Sequence, residues 1–224
     1  MELEHWQLVQ NFIPRSDILR IVLIGETGAG KSSSGNTIFG RRVFTTKSSD
    51  RDISVGCVQD ITCHNGQWLS IVDTPGFFDP NKSNVEVERE IANGVALAAP
   101  GPHVLLLVLR PDGIKYKEQT ERETVKMIEK IFGKGALCYT MVLFTHGDDL
   151  GHGRTIKELI DLEHGKTIED FIDQSPDLGA LISQCGGGYH VFNNRDEDPS
   201  QVRELLKKIN TMVQSNGGML STGI

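Results

Sequence analysis

Polar stretches along the chain are interrupted by short apolar runs of strand length. The first, Ile18–Ile24, is rich in β-branched residues, the composition of a strand buried on both faces of a parallel sheet. Residues 60–72 read as two strands joined through Asn65-Gly66, a strong hairpin signal, and so predict one antiparallel edge. Two more apolar runs, 104–109 and 139–144, flank a segment from Glu118 to Phe132 in which Val125, Ile128 and Phe132 recur at helical spacing. That is a β-α-β pattern. Helices are also expected over 155–172 and 178–183, a last strand over 189–192 and a closing amphipathic helix over 199–213. Strands alternating with helices predict an α/β fold, a three-layer sandwich around a mostly parallel six-stranded sheet with one antiparallel edge strand. Residues 1–17 read as an N-terminal extension, 18–214 as the folded domain, and 215–224 as a Gly-rich tail expected to be frayed.

The first strand runs directly into Gly25-Glu26-Thr27-Gly28-Ala29-Gly30-Lys31-Ser32, which matches G-x-x-x-x-G-K-[ST] in the strand-loop-helix context that the motif requires. Backbone N–H groups of such a loop surround phosphate oxygens, and the following helix N-terminus adds positive partial charge. Lys31 is placed to reach the β- and γ-phosphates, and the Ser32 hydroxyl to ligate Mg²⁺. Ser33 is counted with the nucleotide-lining stretch without a catalytic role, and Ser34 and Gly35 with packing or surface. The alternative is an ordinary Gly-rich turn.

Val72-Asp73-Thr74-Pro75-Gly76 closes the third strand. It puts a carboxylate beside the phosphate loop, so Asp73 is expected to hold Mg²⁺ through water and Gly76 to present its N–H to the γ-phosphate and swing a switch loop. Asp-x-Pro-Gly is also a plain turn signal. The position after this glycine, where GTPases often carry a water-orienting glutamine, is Phe77, followed by Phe78. Neither polarises water, which predicts slow turnover by the monomer. At the end of the fifth strand, 141–150, Asp149 is a carboxylate able to accept hydrogen bonds from guanine N1–H and N2–H₂, at the sheet edge where open α/β sheets bind ligands. It fits the Asp of N-K-x-D in register, although His146 replaces Asn and Gly147 replaces Lys. Asp148 or Asp149 equally reads as a helix cap. Asn193 and Asn194, after the last strand, either complete a base pocket or form a turn.

With Gly25–Ile38, Asp73-Thr-Pro-Gly-Phe-Phe-Asp79, Ala99-Pro-Gly-Pro-His-Val104 and Tyr189-His-Val-Phe-Asn-Asn194 in view, the sequence resembles the AIG1-type GTPases, the GTPases of immunity-associated protein (GIMAP) family, over 19–213. The resemblance implies a P-loop GTPase-like fold with an extra helical insertion, GTP/GDP and Mg²⁺ as ligands, and a nucleotide-dependent homodimer or oligomer formed through faces near the nucleotide. Some family members hydrolyse GTP once a dimer supplies an arginine from the box that here reads 109–118. The match to that arginine is Lys115, and Arg110 lies five residues earlier. Either is a candidate group acting in trans, although lysine cannot reproduce a planar bidentate guanidinium contact. By family register Ser54 is the switch I magnesium ligand, with Thr45 and Thr46 as alternatives.

The formal net charge of −7 argues against nucleic acid as a partner. The four cysteines form no C-x-x-C pair, and neither a signal peptide nor a membrane-length apolar run is present, so a cytoplasmic setting is expected. The histidines form no H-x₃-H pair with a nearby acid, and no G-x-S-x-G elbow exists. His146 and His190 are expected to flank the base pocket. The reading is therefore a GTP-binding protein with slow or assembly-dependent hydrolysis. A non-hydrolysing GTP-dependent scaffold stands as the alternative, and a P-loop kinase or ATPase as the less favoured third.

Overall fold

The computed structural model describes residues 14–46, 56–110, 118–145, 168–173 and 175–220. Its centre is a six-stranded sheet built from β1 (Ile18–Ile24), β2 (Val58–His64), β3 (Gln67–Asp73), β4 (Val104–Leu109), β5 (Thr140–Thr145) and β6 (Tyr189–Phe192) in the order β2-β3-β1-β4-β5-β6. Five strands are parallel, and β2 alone runs antiparallel, paired with β3 from Val58↔Asp73 to His64↔Gln67. The two turn residues between them, Asn65 and Gly66, have φ of 50° and 83°, as a type I′ hairpin requires.

Alternation along β1 sorts its side chains into two layers. Leu19, Ile21 and Leu23 face α1 (Lys31–Phe39) and a C-terminal helix (Ser200–Ser215), whose Val202, Leu205, Leu206, Ile209 and Met212 recur at helical spacing. Val22 and Ile24 face the opposite layer, where α2 (Asn84–Val95), α3 (Glu118–Phe132), α4 (Ile168–Asp173) and α5 (Pro176–Gln184) lie; the helix Ser200–Ser215 is α6. All seven β1 residues are buried, which accounts for its unbroken apolar run with one exception, Arg20.

The pattern of the sequence did not reveal α2. Its signals are a capping box, in which Ser83 Oγ accepts from Glu86 N and the Glu86 carboxylate accepts from Ser83 N, and the spacing of Val87, Ile91 and Val95. Most of the helix expected over 155–172 lies outside the described residues.

The expected frayed tail is corrected. As far as Leu220 it is packed: Leu220 is 5% exposed, joins the core beneath α2 and α3, and donates from its N–H to Pro102 O at 2.8 Å. Beside it Arg20 is buried, donating from Nε to Gly101 O at 2.6 Å and from Nη2 to Met219 Sδ at 3.1 Å. An arginine inside an apolar strand is tolerated because carbonyls at the amino ends of β1 and β4 receive its donors. His103 closes the cluster, its Nδ1 accepting from Arg20 N at 3.0 Å.

Burial, then the Arg20 charge, holds the His103 imidazole down at about 4, against an ordinary value of 6.5. Because this value lies below the unfolded one, the unfolded chain binds more protons between the two, and stability falls as pH drops through that window. Denaturant unfolding between pH 7 and pH 4 is expected to show this loss, and His103→Asn to shrink it; an unchanged pH profile in the variant would contradict the assignment.

Candidate nucleotide-binding site

The strand order changes direction at β1. Its neighbours β3 and β4 follow it on opposite sides, so the carboxyl end of β1 is the crevice where open α/β sheets bind ligands. Residues 25–30 leave β1 at that point and lead into α1. The loop presses close to the neighbouring strand: a Cβ on residue 25 would stand 2.4 Å from Val108 O, so only glycine fits there. Thr145, the last residue of β5, supports the loop from below by donating to Ala29 O at 2.9 Å. Thr74 ties the end of β3 to β1 by donating to Leu23 O at 2.6 Å. Sequence reasoning missed both threonines. Their only signal is a buried hydroxyl residue at the carboxyl end of a strand.

Lys31, 7% exposed, folds back over the loop, its Nζ donating to Gly25 O at 3.1 Å and to Glu26 O at 2.8 Å. Its ammonium lies near the Glu26 carboxyl, which burial pushes up and Lys31 draws part of the way back. Ser32 Oγ donates to Asp73 Oδ2 at 2.6 Å across the gap between α1 and β3, whereas Asp73 Oδ1 is buried with no hydrogen-bond partner. Burial raises the Asp73 carboxyl, opposed by the Ser32 hydrogen bond and the Lys31 charge. A hydroxyl, a carboxylate with an orphaned buried oxygen and an adjacent phosphate-type loop are a donor set that suits Mg²⁺, a hard cation usually held by one or two carboxylates together with phosphate oxygens.

Loop residues Thr27 to Ser33, with Asp73, Gly76, Arg110 and Asn194, line one continuous cleft of about 1180 Å³. Gly76 sits directly beneath Thr27: a Cβ there would fall 2.2 Å from Thr27 Oγ1 and 2.4 Å from its backbone N. Thr45 and Thr46 line the same cleft. Asn194 is fixed between Thr37, whose Oγ1 donates to its Oδ1 at 2.8 Å, and Ser34, whose Oγ accepts from its Nδ2 at 3.4 Å. Asn193 is absent from the cleft lining. Its Oδ1 accepts from Arg195 N at 3.0 Å, the turn alternative. His190, expected beside the base, is instead buried under α6 with Nε2 at 2.9 Å from Gln201 O, and burial holds its pKa down. Ser54, Lys115, His146 and Asp149 lie outside the described residues.

The sheet order and the loop at its switch point define the class: a P-loop α/β domain of the GTPase-like type. The sequence model of the AIG1 family matches residues 19–223, and the chain belongs to that family. It is 34% identical over 204 residues to GTPase IMAP family member 8 of Homo sapiens, an alignment covering 89% of this chain and 28% of that protein. It is 33% identical to immune-associated nucleotide-binding protein 10 of Arabidopsis thaliana, covering 90% of this chain and 42% of that one. The chain thus spans well under two thirds of the length of these relatives. Among solved structures, Toc33 of Arabidopsis thaliana in a dimerisation-deficient form superposes with a TM-score of 0.68 at 19% identity, covering 96% of this chain and 91% of that one. Toc33 in complex with GDP and Mg²⁺ gives 0.66 at 20% identity, covering 99% and 93%.

Replacing Gly76 by alanine forces its new methyl against Thr27, where two of the three nearest atoms are backbone. Such overpacking costs about 1–3 kcal/mol. Denaturant unfolding without nucleotide is expected to show that loss, and an unchanged midpoint would contradict the contact.

Proposed function

We propose that this domain binds GTP and GDP with Mg²⁺, self-associates in the triphosphate state, and hydrolyses GTP slowly or upon dimerisation. The observation that carries the reading is the Ser32–Asp73 pair, 2.6 Å apart beside the Lys31 loop, with a buried carboxylate oxygen left over. The loop amides would bind the phosphates, Lys31 would neutralise the β- and γ-oxygens, and Ser32 and Asp73 would hold the metal. Bound Mg²⁺ supplies charge neutralisation and orientation of the phosphate oxygens. Guanine selectivity rests on the sequence position of Asp149 and His146, with Asn194 among the residues lining the cleft. The names of the relatives, a GTPase and a nucleotide-binding protein, support the same ligand class.

Turnover needs a group that orients water, and Phe77 is 0% exposed in the core, so the residue after Gly76 supplies none. Arg110 lines the cleft at the end of β4 and is, with Lys115, the candidate for action across a dimer. The burial of Phe77 also favours the second reading, a GTP-dependent scaffold without hydrolysis.

Lys31→Ala removes a charged donor that reaches phosphate, and a charge-assisted hydrogen bond of about 1.5–3 kcal/mol corresponds to roughly 10- to 100-fold weaker nucleotide binding. Titration with a fluorescent GTP analogue, with ATP as competitor, measures it; unchanged affinity would overturn the cradle. GTP turnover per molecule is expected to rise with protein concentration in Mg²⁺ buffer. A flat, negligible rate in protein shown to bind GTP would select the scaffold.

A further inference from the structure

Two chain segments that carry cysteines meet at the amino end of β5. Cys138 lies in the 3-10 turn Ala136–Tyr139 that leads into β5, and Cys185 caps the end of α5. Gly186 N donates to Leu137 O at 2.9 Å and Gly187 N to Thr140 O at 3.0 Å, so the residues after Cys185 run alongside those flanking Cys138. The approach is close: a Cβ on residue 186 would stand 1.9 Å from Cys138 O and 3.1 Å from Cys138 Cα, so only glycine fits. Asn216 Nδ2 donates to Cys138 O at 2.6 Å and holds the turn from the α6 side. The two thiols differ in access. Cys185 is 5% exposed, in the apolar cluster that includes Leu137 and Leu181, whereas Cys138 is exposed. Burial, then the charge of nearby Cys138, pushes the Cys185 thiol up to about 12. The remaining cysteines are not paired in this way. Cys57 precedes β2 and Cys63 lies near its far end, roughly 20 Å away along an extended chain and beyond the reach of a disulfide.

We propose that Cys138 and Cys185 form a site of thiol–disulfide exchange, which accepts a low-molecular-weight disulfide of the glutathione class and closes to an intramolecular bond. A disulfide needs Cα atoms about 4.4–6.8 Å apart, and Gly186, one residue from Cys185, is already in backbone contact with Cys138. The order of events follows from access. The exposed Cys138, as thiolate, attacks one sulfur of glutathione disulfide: a Cys138 Sγ–S bond forms, the S–S bond breaks, and the departing glutathione takes up the proton that Cys138 lost. Cys185 then loses its proton and attacks Cys138 Sγ from within the protein, and the second glutathione leaves with that proton. Two protein thiols are oxidised by two electrons, and one glutathione disulfide is reduced to two thiols. A thiol as buried as Cys185 meets no bulky reagent directly, and its raised pKa makes it a poor first attacker, so it is reached through Cys138. The bond would tie together the two ends of 138–185, the segment that carries His146 and Asp149.

Incubation of the folded chain with glutathione disulfide, quenched by alkylation and mapped by peptide mass spectrometry, tests the site. Wild-type protein is expected to yield a Cys138–Cys185 cross-link that dithiothreitol removes, while Cys63, exposed and without a neighbouring thiol, keeps its glutathione adduct as an internal reference. Cys185→Ala is expected to trap the adduct on Cys138, and Cys138→Ser to leave Cys185 a free thiol. A lasting adduct on Cys138 in the wild type, or a free Cys185 beside a fully modified Cys63, overturns the proposal. So does direct modification of Cys185 in folded Cys138→Ser protein. Closing so long a loop restricts the unfolded chain, and the thermal midpoint of the cross-linked protein is expected to rise by roughly 5–15 °C over the reduced form. A lowered midpoint would show that the native backbone does not accommodate the bond and would overturn the geometry. If Cys185→Ala does not fold, the wild-type map and Cys138→Ser decide alone.

Discussion

The position of β1 governs the rest of the molecule. It lies between two parallel partners, with Leu23 opposite Asp73 on one side and Ile24 opposite Leu107 on the other, and its side chains alternate into both apolar layers. A strand so enclosed has no freedom to slip, because a shift of one residue would exchange its two faces. The loop that leaves it inherits that rigidity. Gly25 lies against the β4 backbone, Ala29 hangs from Thr145, and Ser32 meets Asp73, so three strands position one short loop. Helices α1 and α6 on one side and α2, α3 and α5 on the other keep water from the strands while leaving their carboxyl ends open.

Much of this was legible in the sequence. The six strands, the antiparallel hairpin at Asn65-Gly66, the helix Glu118–Phe132 and the P-loop at the switch point all follow from apolar periodicity and turn chemistry, and both are local properties. The Ser32–Asp73 meeting was legible too, because motif order and strand context together imply a contact across 41 positions. What escaped depends on tertiary partners. Helix α2 is weakly apolar and announces itself by its capping box more than by a long stripe. Thr74 and Thr145 look like ordinary strand residues until the carbonyls they serve are known. His190 and Asn193 sit in a stretch whose wording suggested the base pocket, yet a strand alternates its faces: His190 points under α6, and Asn193 caps its own turn.

Arg20 is an instructive failure of simple hydropathy. A charge in the middle of an enclosed strand contradicts the apolar run around it, and the contradiction is resolved at the amino ends of β1 and β4, where Gly101 O and Ile18 O accept its donors. The tail from Asn216 to Leu220 belongs to that arrangement. A Gly-rich sequence suggested fraying, but Gly217 and Gly218, at φ of 72° and 122°, let the chain reverse after α6 and return to the sheet.

That return gives the domain two poles. The cleft opens at the carboxyl ends of the parallel strands, whereas Leu220 is fastened to Pro102, just ahead of β4 at the amino ends. Leu220, the last described residue, therefore lies at the pole remote from the cleft, so the packing of the C-terminal turn and the walls of the cleft are built from opposite ends of the same sheet.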